Sequence, residues 1–156
     1  MIKLRKLIAW TVLVLIVAIQ FIRPEQNNYE QVAAAGFVTA YGVPDSINSL
    51  LQSSCYDCHS NHTRYPWYGN IQPFGWILSN DIKQGKFELN FSELSGYSTR
   101  KQISKLKAIA SKIEDNEMPL SSYTMLHKMA RLSAGQKAII TSWIKNKADS
   151  ISNSNQ

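Results

Sequence analysis

Residues 55–61 read Cys-Tyr-Asp-Cys-His-Ser-Asn (CYDCHSN), and the way this stretch is read decides the fold. Two cysteines three apart, with a histidine directly after the second, suit a disulfide, a zinc ion or a covalently attached haem. On a helix the positions i, i+3 and i+4 share a face. The thiols of Cys55 and Cys58 are then spaced for the two vinyl groups on one edge of a haem, and His59 falls where its imidazole reaches the iron. A structural zinc site needs four ligands, and His62 and His127 stand at no recognised spacing to supply the rest. A thioredoxin-like CxxC follows a strand, whereas the residues before Cys55 read as helix.

Outward from this motif the pattern is helical. Pro44 with Asp45 or Ser46 marks a helix start, and Ile47, Leu50 and Leu51 fall at i, i+3 and i+4. Residues 61–75 hold two prolines, two glycines and four aromatic side chains, which reads as an apolar loop. A short helix is expected from Pro73 to Gln84, ended by Gly85, and residues 86–97 fit either a strand or a loop. Thr99 with Gln102 forms a capping box before Ile103, Leu106, Ala110 and Ile113, which predicts a helix to about Glu114. Ser133 with Gln136 forms a second box, before Ile139, Ile140, Trp143 and Ile144. No stretch alternates well enough for a sheet, so the fold class expected is all-α.

The chain has 156 residues, room for one domain, and a formal net charge of +6. Lys3, Arg5, Lys6 and Arg23 flank one apolar segment, and without them 13 basic residues face 11 acidic ones. No nucleic-acid footprint remains. That segment, Leu7 to Ile22, is free of charge and reads as a single N-terminal transmembrane helix rather than a removed signal, although small residues stand at Ala33 to Ala35. Residues 1–23 are accordingly assigned to a membrane anchor or signal segment, 24–41 to a tether, 42–149 to the haem domain and 150–156 to a frayed tail. The basic residues before the apolar run place the domain outside the cytoplasmic membrane, facing the periplasm.

A haem ligated by His59 needs a ligand on its other face. Met118, next to Pro119 in a loop between two helices, is the candidate, with His127 as rival and an open iron as third reading. Met125 and Met129 read as core filler. Tyr65, Trp67, Tyr68, Phe74 and Trp76 are expected as walls that keep water from the macrocycle. Arg64 or the Trp67 indole is a candidate for meeting a propionate. Lys105, Lys112 and Lys145 read as solvated surface or a docking face.

The stretches CYDCHSNHTRYPWYGNIQPFGW (55–76), LNFSEL (89–94) and MPLSSYTMLHKMARLSAGQKAIITSWI (118–144) together resemble the haem-binding domain family of bacterial envelope proteins, a c-type cytochrome-like group. The likeness spans about Val43 to Lys147. It implies a cytochrome c-like fold of helices around one covalently bound haem c per chain, with Cys55 and Cys58 as attachment points and His59 as proximal ligand. Met118 and the His127–Ser133 run are characteristic positions. The function expected is single-electron transfer between redox partners of the envelope, the alternative being a haem sensor or peroxidase-like enzyme with an exchangeable distal ligand.

Overall fold

The computed structural model describes residues 2–29 and 34–154, so Ala33 of the small-residue run lies outside the described residues. Eight α-helices follow in order: α1 (Ile2–Ile19), α2 (Ala35–Tyr41), α3 (Asp45–Ser54), α4 (Tyr56–His59), α5 (Phe74–Glu88), α6 (Thr99–Glu114), α7 (Ser121–Leu126) and α8 (Ala134–Asn153). Among the described residues there is no strand, only one isolated bridge between Asn28 and His62. The all-α expectation holds.

Helices α6 and α8 pack against each other as the main helix pair. α6 buries Leu106, Ile109, Ala110 and Ile113, and α8 sets Ile140, Ile144 and Ala148, four residues apart, into the same core. Rows at that spacing interdigitate as ridges and grooves. The capping box at the start of α8 is complete: Gln136 N–H donates to Ser133 Oγ and Ser133 N–H donates to Gln136 Oε1, at 3.3 and 2.8 Å. The box expected at Thr99 does not form. Ser98 takes the cap position, and the Gln102 amide instead donates to the carbonyls of Tyr97 and Ser95 while its oxygen accepts from Tyr41 Oη at 2.7 Å. A buried tyrosine hydroxyl needs a partner more than an exposed helix start does.

The residues expected as a tether belong in part to the core. Phe37 and Tyr41 of α2 are buried, and the Phe37 ring meets Phe91 edge-on at 4.9 Å. α5 runs through Gly85 to Glu88, and α8 continues to Asn153, into the region expected to fray. Met125 and Met129 are exposed rather than core.

The N-terminal segment departs most from expectation. No helix among the described residues is long and apolar enough to cross a membrane. This corrects the single-pass anchor, and the placement in the cytoplasmic membrane that rested on it. α1 starts at Ile2 and takes in Lys3, Arg5 and Lys6, so its charge-free part, Leu7 to Ile19, is roughly 20 Å long against a hydrocarbon core of about 30 Å. The rest of the apolar run turns onto the domain. Gln20 and Gln72 exchange two hydrogen bonds, at 2.9 and 3.1 Å, and the Trp76 indole donates to Ile22 O at 2.8 Å.

Two measurements check this architecture. Ser133→Ala should lower stability by about 1 kcal/mol with an unchanged m-value in urea, because it removes one half of the cap. Burial pushes the Tyr41 hydroxyl up to about 12. A folded-state value above the ordinary one of about 10 gives stability that is complete below pH 10 and disappears as pH rises through 12. Tyr41→Phe should flatten that part of the alkaline unfolding curve.

Candidate haem site

The CxxCH motif forms a single turn at a kink. Cys55 ends α3 with φ −128° and ψ −45°, and its carbonyl accepts from both Cys58 N–H and His59 N–H, at 3.2 and 3.0 Å. One carbonyl closing both bonds brings all three side chains to the wall of one cavity of about 650 Å³. That volume lies within the range of small-molecule sites.

His59 is held by backbone. Its Nδ1 lies 2.9 Å from Gly85 O and 3.1 Å from Leu89 O. Both partners are acceptors, so Nδ1 carries the proton and Nε2 keeps its lone pair. Burial lowers the imidazole's pKa, with the two carbonyl bonds acting in the opposite sense. The ring is therefore neutral and ready to ligate a metal through Nε2. Phe91 N–H donates to His59 O at 2.8 Å, fixing the backbone as well.

Gly85 lets this happen. A methyl group there would lie 2.7 Å from the Cys58 carbonyl oxygen, so helix α5 rests directly against the CxxCH turn. Glycine inside a helix costs about 1 kcal/mol relative to alanine, a cost this contact explains, and it is why Gly85 does not end the helix.

The residues after His59 brace the turn from below. Ser60 Oγ donates to Tyr56 O, and Thr63 Oγ1 donates to Asp57 O at 2.6 Å. Asn27, itself buried, donates from its amide to Ser60 O and Thr63 Oγ1, accepts from Lys86 Nζ, and donates its backbone N–H to Tyr65 Oη. Asn90 donates to Asn61 Oδ1 at 2.8 Å. The Asp57 carboxylate accepts from Arg64 Nε and Tyr123 Oη at 3.1 and 2.8 Å.

Both thiols are free. Burial, with Cys58 adding a smaller effect at Cys55, and Asp57 and Asp81 at Cys58, pushes each up to about 12. A redox-active CxxC needs a thiolate, and this environment suppresses one. Among the described residues no three His, Cys, Asp or Glu side chains gather as a metal site.

Met118 lines the same cavity as His59. His127 does not: its ring stacks on Tyr123 at 4.0 Å, and its Nδ1 pairs with Tyr123 O at 3.1 Å. The aromatic walls are also elsewhere. Trp67 is 78% exposed, Trp76 serves Ile22, and Tyr65 serves Asn27. Tyr68 and Phe74 are likewise absent from the wall, and Arg64 is turned to Asp57 and to the Gln52 carbonyl. The wall is built instead by Leu89 and Phe91 and by the α6 stripe Lys105, Ala108, Ile109, Lys112 and Ile113. That stripe follows i, i+3, i+4, i+7 and i+8, a periodicity visible in the sequence, but its two lysines disguise it as solvent-facing.

These residues fit a covalently attached haem: two thiols, one imidazole with a free Nε2 and one thioether line a single cavity. In sequence comparison, the haem-binding domain family matches residues 14–146. No curated protein and no solved structure matches the chain.

Gly85→Ala tests the contact by its sign. Helix propensity alone favours alanine by about 1 kcal/mol, whereas overpacking against Cys58 should produce a net loss of about 1–3 kcal/mol in urea unfolding. A gain in stability would mean that α5 does not press on the turn.

Proposed function

The chain belongs to the haem-binding domain family, and from that premise we propose that it is a monohaem c-type cytochrome that passes single electrons between partner proteins. The observation that carries this reading is the state of His59, whose Nδ1–H is taken by Gly85 O and Leu89 O so that Nε2 alone is left to bind iron, in a cavity that Cys55, Cys58 and Met118 share. Cys55 and Cys58 would hold the group through thioethers, His59 would ligate one face and Met118 the other. When bound, the group supplies a one-electron iron couple, and a methionine ligand raises its potential.

The chain's own residues favour a carrier over a catalyst. An enzyme acting on peroxide needs an acid or base over an open iron position. The residue best suited to that, His127, is held by Tyr123 outside the cavity. Ile109, Ile113, Leu89 and Phe91 instead give the cavity an apolar part of its lining.

Visible spectra of the full chain, produced in a cell that attaches haem to CxxCH, test this. The oxidised protein should be low-spin and six-coordinate with a methionine–iron charge-transfer band. Met118→Ala should keep the haem and lose that band. Cys58→Ser should sharply reduce the yield of haem-bearing protein. A high-spin wild-type spectrum that shifts with carbon monoxide would move the assignment to a sensor or enzyme, and absence of covalent haem would end it.

A further inference from the structure

We propose that Lys105 is the cationic anchor for a carboxylate of the bound tetrapyrrole, that is, for one haem propionate. The proposal rests on the haem reading above and adds the residue that orients the group at the cavity mouth.

Lys105 stands on the α6 stripe that walls the cavity, beside Ala108 and Ile109. Its side chain is partly buried, and Nζ donates to the carbonyl of Glu88, the last residue of α5. That carbonyl is among those a helix end leaves without an intrahelical donor. One donor of the ammonium is thereby used, and two are left for another acceptor. Among the described residues no carboxylate lies within ion-pair distance of it. Lys105 thus stands at the cavity wall as a cation without an anion, within reach of a carboxylate that a bound ligand would bring.

The other charges at this cavity are already committed or stand apart. Lys112, one heptad further along α6, is paired with Glu117. Asp81 of α5 lies by the thiols, where it acts on Cys58. Glu88 of α5 acts on Lys112, and Tyr123 donates to Asp57. From the Cys55–His59 turn the cavity meets two protonated thiols and a neutral imidazole. Lys105 is thus the cation at the cavity without an acidic partner among the described residues, and a ligand with a tetrapyrrole's acidic edge supplies one.

The test is the pH dependence of the midpoint potential in holoprotein of wild type, Lys105→Gln, Lys105→Arg and Lys107→Gln. Glutamine keeps an N–H donor and removes the charge, on a side chain one bond shorter. Lys107 is exposed on another face of α6 and off the cavity wall, which makes it the control. Lys105→Gln should retain covalent haem and the wild-type axial spectrum, while the inflection from carboxylate ionisation moves up by about one pH unit or more. Arginine should restore it, and Lys107→Gln should leave it in place. An unmoved inflection in Lys105→Gln, or an equal shift in Lys107→Gln, overturns the Lys105 assignment and leaves the haem reading intact. A wild-type chain without covalent haem overturns the haem reading, and the Lys105 assignment falls with it.

Discussion

Burying an imidazole removes its ring nitrogens from water, and His59 replaces that water on one side only. Nδ1 divides its proton between the carbonyls of Gly85 and Leu89, both in the last turn of one helix, where Gly85 O also accepts from Leu89 N–H. Everything near the cavity is arranged so that this bond can form. Gly85 has no side chain, so the helix end comes close enough. Leu89 leaves the helix in an extended conformation, and two residues on, Phe91 returns a hydrogen bond to His59 O. A hydrogen bond from a ligand's far nitrogen raises its basicity and fixes its plane. The chemistry of Nε2 is thus set by backbone atoms, whose positions depend little on side-chain identity.

The polar residues that follow the motif have a different duty from the one their chemistry first suggests. Ser60, Asn61, Thr63 and Tyr65 look like a binding set, yet their hydrogen bonds run to Tyr56, Asn90, Asp57 and Asn27. They build a platform under the turn. A hydroxyl or amide exchanged there for an apolar group would leave a buried carbonyl or N–H unpaired, at about 1–3 kcal/mol.

That Cys55, Cys58 and His59 share one face was legible because their spacing on a helical turn fixes it, and α8 was legible because its capping box is local. The position of Met118 in the cavity wall also follows the reading of the loop before Pro119. Gly85 was misread as a helix end because glycine has two uses, as terminator and as point of close approach, and only the tertiary contact with Cys58 separates them. The aromatic walls failed for a related reason: Tyr65 and Trp76 carry polar atoms with distant partners, Asn27 and Ile22, that no local pattern reveals. Leu7 to Ile22 met the composition of a span, yet Gln20 turns to Gln72, fifty-two residues away, and the helix stops short.

Asn27 joins its partners at separations of 33, 36 and 59 residues. Each of these bonds closes a long stretch of chain, and the entropy of closure is recovered only when the rest of the domain is in place. The neighbouring backbone bonds, Tyr29 N–H to Asn61 O and Thr63 N–H to Asn27 O, share that condition. Amide hydrogen exchange at Tyr29 and Thr63 should therefore report opening of the whole domain rather than fraying of a nearby end. A segment lying between the first helix and the core thus acts as a gauge of whether the platform beneath the ligand turn is assembled.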